Sequence, residues 1–262
     1  MPSTRNRQDW WEKPTTDLDK RGRETMTESI HAAEVAEAAL EVHALPIVIE
    51  RPFRGLKSVF SRPWSLDYDG CAASGLFPAG YRRQDSPPHR IVVDDIRMIN
   101  HAMGGRSPHA DWRGLIRRNP LPQLVAVDPS WDAVLMTNEE WQQQRVEERV
   151  AALLNAVMGR PGIGPARASK VLHLKRPALI PVCDSRLLRV LGIAQTQDDA
   201  ILTVLRHLRS EGQRLEIPLK VLQERLAGEG FPRPLIRILE VLVWGSTEPA
   251  FRGGLGSVAK AR

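Results

Sequence analysis

Apolar positions recur at helical spacing through the second half of this chain. Val146, Val150, Leu153, Leu154 and Val157 form one stripe along a helix. That helix is predicted to open at Thr137, where Thr137-Asn138-Glu139-Glu140 fits a capping box, and to end at Gly159. A second helical run covers Ala166–Leu174 and breaks at Arg176-Pro177. Leu179 to Cys183 reads as an extended apolar connector. Asp184 then begins a further helix that closes at Gly192. Three more helices are predicted over Thr196–Glu211, Pro218–Ala227 and Pro234–Trp244, stopping at Gly212, Gly228 and Gly245.

The first half is less periodic. Ile30, Val35, Ala39 and Val42, set among alanine and glutamate, predict a helix over Thr27–Val42. Ile47-Val48-Ile49 reads as a short strand. Residues 51–90 are rich in Gly, Pro, Ser and Arg and read mostly as loop, pinned by Phe53, Phe60, Trp64, Tyr68, Phe77 and Tyr81. Helices are predicted from Asp94 to Met103, from Ser107-Pro108, and briefly from Asp128-Pro129. The organisation that follows is a disordered polar tail over 1–26, an all-α body over 27–246 with at most a minor N-terminal strand, and a loose basic tail over 247–262. Trp10 and Trp11 in the first tail either dock on the body or anchor a partner.

Composition narrows the class. The chain has 262 residues, enough to bury a real core, with 42% hydrophobic and 26% charged residues, the balance of a soluble globular protein. No apolar run is long enough to span a membrane, and the N-terminus lacks the apolar stretch of a signal peptide. Cys71 and Cys183 are too few for a disulfide framework or a cysteine-ligated cluster. Cytoplasmic residence is the expectation. Seven histidines lie at no metal-ligand spacing, so neither a metal nor a cofactor is expected.

Charge then singles out one segment. Gly159–Gly192 carries seven basic residues (Arg160, Arg167, Lys170, Lys175, Arg176, Arg186 and Arg189) against Asp184 alone, so its net of +6 equals that of the whole chain. At its head, Gly162-Ile163-Gly164-Pro165 forms a tight turn between two helices. Glycines leave backbone amides uncovered, and amides beside a helix N-terminus suit a phosphate. Arg167 and Lys170 add charge from the second helix, and Ile163 is expected to pack between the arms. Such a site reads a polyanion's backbone rather than its bases. The alternative is an ordinary structural turn between two helices.

PGIGPARASKVL followed by RPALIPVCDSRLLRVL resembles the helix-hairpin-helix DNA glycosylase superfamily, over about an eighth of the chain. The resemblance implies a two-lobed helical fold with the hairpin core in 137–192 at the rim of a cleft, and a last helix that returns to the N-terminal half. It implies double-stranded DNA as partner, held through Gly162, Ile163, Gly164, Arg167 and Lys170. Arg160, His173, Lys175, Arg176 and Arg186 are possible accessory contacts. Asp184 falls at the superfamily's catalytic aspartate, where a carboxylate stabilises the charge that builds on the sugar or orients water. The superfamily's Schiff-base lysine falls at Ala166, so any activity would be monofunctional base removal of the kind used in base excision repair. No C-terminal four-cysteine motif is present, which excludes the iron–sulfur branch. The rivals are a non-catalytic DNA-binding accessory in repair or defence, and a protein-interaction domain. Asp184 is equally an ordinary N-cap, and Arg186 stands close enough in sequence to pair with it. A wider pattern, from Tyr68-Asp69-Gly70 through IVVDDI to RILEVLVWGS, resembles an uncharacterised bacterial family that implies no activity.

Overall fold

The computed structural model describes residues 38–42, 47–63, 88–102 and 107–251, apart from 119 and 198, together with the single positions 34 and 65. The tail 1–26, Trp10, Trp11, Trp64, Tyr68, Phe77, Tyr81, Cys71 and positions 252–262 lie outside the described residues. What is described is mostly helical, as the periodicity predicts. Two short strands, β1 (Leu40–Val42) and β2 (Ile47–Ile49), pair antiparallel with Leu40 opposite Ile49. The helix predicted over Thr27–Val42 therefore does not reach its end. Leu40-Glu41-Val42 alternates in polarity and gains a ladder by pairing with the β-branched run that follows.

Helices α1 (Pro52–Phe60), α2 (Val93–Ala102), α3 (His109–Arg117) and α4 (Pro122–Val125) come next. They are followed by α5 (Asn138–Gln143), α6 (Val146–Met158), α7 (Pro165–Lys175) and α8 (Ser185–Val190). Helices α9 (Ala200–Arg214), α10 (Glu216–Gly228), α11 (Leu235–Gly245) and a 3-10 turn over Pro249–Phe251 complete the described order. Helix α11 is the axis of the packing. Every residue from Leu235 to Val243 is buried, as expected of a helix apolar on nearly all sides. It packs against α1, α8, α9 and α10, so the last long helix does return to the N-terminal half.

Several predicted elements shift for identifiable reasons. Pro52–Phe60 was expected as loop but is an amphipathic helix, with Phe53, Leu56, Val59 and Phe60 inside. Gly55 lies under Phe251, whose ring would be 2.2 Å from an added methyl group; close approach, not a turn, explains that glycine. The capping box at Thr137 forms, but Arg145 adopts a left-handed conformation (φ 49°) and splits the predicted helix into α5 and α6. Gly212 does not stop α9; a methyl group there would lie 2.6 Å from Val134. At Asp128 the carboxylate accepts the Ser130 amide at 2.8 Å in a turn, and the helix begins earlier, at Pro122. The helix predicted from Ser107-Pro108 begins one residue later, with Pro108 as N-cap and His109 first. Ser107 does not cap α3; its hydroxyl accepts the Trp112 indole at 2.7 Å.

Buried ions tie the first half to the second. Lys175, at the end of α7, donates to Asp95 of α2 at 2.8 Å, with both side chains at most 1% exposed. Asp95 also accepts the Val92 amide at 2.7 Å. Arg176 is 1% exposed and donates to four carbonyls, those of Pro88, Leu124, Val127 and Lys175, at 2.6–2.8 Å. Burial pulls its pKa down to about 10. Removing one partner of a buried pair strands the other charge. Lys175→Met should therefore lower unfolding free energy in urea by about 3–5 kcal/mol, and adding Asp95→Asn should recover most of that loss.

Candidate functional site

The hairpin turn is built by sterics and one ion pair. Gly162 has φ +82°, a region that glycine enters freely. A methyl group there would lie 2.6 Å from the Asp111 carboxylate of α3. Arg167, on the first turns of α7, reaches Asp111 at 3.2 Å and also donates to the Gly162 carbonyl. Ile163 is 3% exposed and packs between the arms as expected. Gly164 is the N-cap residue of α7 and is open: nothing lies within 4 Å of a methyl group built on it. Pro165 has no N–H, and the first-turn amides of a helix lack intrahelical acceptors, so this end of α7 presents positive potential.

Asp184 is reached by a buried connector that begins in a turn at Leu179 and has no regular structure from Ile180 on. Its Oδ1 accepts the amides of Arg186 (3.0 Å) and Leu187 (2.8 Å), which caps α8. Its Oδ2 accepts the Trp244 indole N–H at 3.1 Å. Arg186 does not pair with Asp184. It lies 4.3 Å over the face of the Trp244 ring and bridges to Glu248 at 2.5 Å. That ion pair holds the Glu248 carboxyl below the usual range.

The turn and the aspartate share one cavity of about 350 Å³. Its wall includes Gly162, Gly164, Ala166, Lys170, Asp184 and Gln195. Ala166 and Lys170 are one helical turn apart, so they face the same way. Burial pulls the Lys170 ammonium below its usual pKa, Asp184 opposes that shift, and Arg237 adds to it. The cavity thus pairs an open helix end and an ammonium with a carboxylate held at its far side.

Other predicted contacts lie elsewhere. His173 is 1% exposed, with Nδ1 2.7 Å from the Ile180 carbonyl oxygen, and is not available to a ligand. Lys175 and Arg176 serve the core, as described above. Arg160 is half-buried against α3, with its guanidinium 3.8 Å from a methyl group built on Gly114. Of the seven basic side chains in Gly159–Gly192, two are buried and two more are paired with Asp111 and Glu248. The net of +6 is not a surface patch of that size. Trp244 and Asp111, both in contact with the site, carried no sequence signal, because each meets it across more than fifty residues. Ser185 and Gln195 also line the cavity without belonging to any motif. Among the described residues no cluster of His, Cys, Asp or Glu could hold a metal ion, and no helix is long and apolar enough to cross a membrane.

The family of unknown function DUF6308 matches residues 115–247, half of the chain. The chain belongs to this family. The matched region runs from within α3 to just past α11, so it holds the hairpin, the cavity and the Trp244 contact to Asp184. No curated protein and no solved structure is significantly similar to the chain.

The two glycines should separate cleanly. Gly162→Ala meets both a positive φ and the Asp111 carboxylate, and should cost about 1–3 kcal/mol of stability. Gly164→Ala should leave the denaturation midpoint nearly unchanged. Asp184→Ala removes a cap and should cost about 1 kcal/mol. Asp184→Asn keeps an oxygen for the cap and should cost less, as read by the same denaturant titration.

Proposed function

We propose that this protein binds the phosphate backbone of duplex DNA through its hairpin, within a helix-hairpin-helix glycosylase-like fold, and that the adjoining cavity is a monofunctional N-glycosylase site. One observation carries the reading: the open head of α7 and Asp184 line the same cavity. A backbone held at Gly164 and Lys170 would lie beside that cavity. Its volume is within the range of about 300–1,000 Å³ typical of small-molecule sites, so it can receive a base turned out of the stack. There the Asp184 carboxylate would stabilise positive charge on the sugar and orient water. Water adds to the anomeric carbon and gives up a proton, the base departs with the glycosidic electron pair and takes up a proton, and an abasic site remains. Ala166 offers no nucleophile, and Lys170, one helical turn further on, is assigned to the phosphate backbone, so the strand is left uncut by lyase chemistry.

A second reading has its own observation. Asp184 already accepts three N–H bonds, two as a cap and one from Trp244. A carboxylate so employed is what a non-catalytic binding module would keep. The two readings divide on product. Duplexes carrying a panel of damaged and modified bases are incubated with protein, then treated with hot alkali to cleave abasic sites. The glycosylase reading predicts cleavage that disappears in Asp184→Asn. Product formed equally by Asp184→Asn excludes Asp184 from the chemistry, and binding without product favours the module. For the hairpin, Lys170→Ala should lower the slope of log affinity against log salt by about 1. No wild-type affinity for duplex at low salt would sink the DNA reading.

A further inference from the structure

Helix α3 lies against the hairpin and has two distinct faces. Trp112 and Leu115 are buried at 0% and 2% exposure, and the Trp112 indole is fixed on Ser107, itself held by Asn100. The face is therefore locked in orientation. On the other side Arg113, Gly114, Arg117 and Arg118 are exposed. Arg113 and Arg117 are one turn apart and rise together from the helix, and Arg118 follows at its C-terminal end. Arg160, from the hairpin, lies over Gly114. A methyl group on Gly114 would touch this guanidinium at an ordinary 3.8 Å, so the guanidinium lies directly on the helix. None of these four arginines has a carboxylate partner among the described residues. The one acid on α3, Asp111, is matched by Arg167.

Arg54, Arg90 and Arg189 are also exposed without a carboxylate partner among the described residues, but each stands on a different segment, and other surface cations are paired. Arg206 pairs with Glu147 and Asp199, Arg214 with Glu211, and Lys220 with Glu216. Cations on those faces are balanced within the protein. Arg113, Arg117 and Arg118, on α3 and its C-terminal cap, face outward without such a partner, and the half-buried Arg160 stands beside them; all are arginines. The planar guanidinium fork matches phosphate oxygens and is less strongly hydrated than an ammonium.

We propose that the outer face of α3, with Arg113, Arg117 and Arg118, continues through Arg160 to the hairpin and forms a second contact with the phosphate backbone of duplex DNA. This rests on the DNA-binding reading above and adds a surface that the basic count of Gly159–Gly192 does not contain. The five helical rises from Arg113 to Arg118 span about 8 Å, the axial span of about two phosphates on one strand at 3.4 Å each. The hairpin would then fix the position of the duplex and α3 its direction. The contact carries no base specificity.

The test is the salt dependence of binding of the full chain to a short labelled DNA duplex, followed by fluorescence anisotropy between about 50 and 200 mM salt. Each lost phosphate contact lowers the slope of log affinity against log salt by about 0.9. Arg113→Ala/Arg117→Ala/Arg118→Ala should lower it by about 2 to 3, and the three Arg→Lys replacements should restore most of the slope. All three positions are exposed, so an unchanged denaturation midpoint is expected, and Arg117→Glu alone supplies a second variant that should weaken binding. If the triple variant keeps the wild-type slope while Lys170→Ala still lowers it, the α3 contact is wrong and the hairpin reading stands. If the wild-type protein does not bind duplex at low salt, both are overturned.

Discussion

Everything around the site depends on one stretch of backbone that cannot satisfy itself. Between Arg176 and Asp184 the chain leaves α7, turns over 177–179 with the Leu179 and Ile180 amides on the Arg176 carbonyl, and then crosses the interior to α8. Leu179, Ile180, Val182 and Cys183 are all at most 3% exposed. Buried amides and carbonyls outside helices or sheets must find partners, or each costs roughly 1–3 kcal/mol. Here side chains of two flanking helices supply them. From α7, Ser169 accepts the Cys183 amide at 2.9 Å and His173 meets the Ile180 carbonyl at 2.7 Å. From α11, Glu240 accepts the Val182 amide at 2.8 Å while paired with Arg237.

These bonds couple the hairpin to the aspartate. Helix α7 begins at Pro165, next to its N-cap Gly164, and carries Ser169 and His173, so the same rigid element that presents the turn also fixes the connector ending at Asp184. From the other side α11 holds the connector through Glu240 and the carboxylate through Trp244. The cavity is thus lined by α7 and α8, and the connector between them is held by buried hydrogen bonds from α7 and α11. This arrangement also explains the cost in surface charge. Lys175 and Arg176 close the end of α7 against α2 and the loops before it, and are spent inside. Positive charge able to meet a ligand comes instead from Lys170, Arg160 and the outer face of α3.

Much of this was legible in the sequence. The Val146–Val157 stripe, the capping box at Thr137, the Gly-Ile-Gly-Pro turn and the Asp184 cap all rest on local rules, and each formed where those rules put it. The failures share a cause, which is that tertiary contact overrides local signal. Gly55 and Gly212 look like breaks but are close approaches of Phe251 and Val134. Arg145 breaks a helix that periodicity alone would continue. Counting charges along Gly159–Gly192 could not reveal that Lys175 faces Asp95, eighty residues away, or that Arg167 faces Asp111. For the same reason Arg186, adjacent to Asp184 in sequence, turns from it toward Glu248 and the Trp244 ring.

The central claim is that the open head of α7, the Asp184 cavity and the outer face of α3 form one surface for a duplex. Amide hydrogen exchange of the full chain with and without a DNA duplex tests it most directly. Duplex bound at this surface adds protection over residues 109–118, 159–171 and 184–188 and leaves α10 and the exposed side of α9 unchanged. Protection confined to other elements, or none at a duplex concentration that saturates binding, would contradict it.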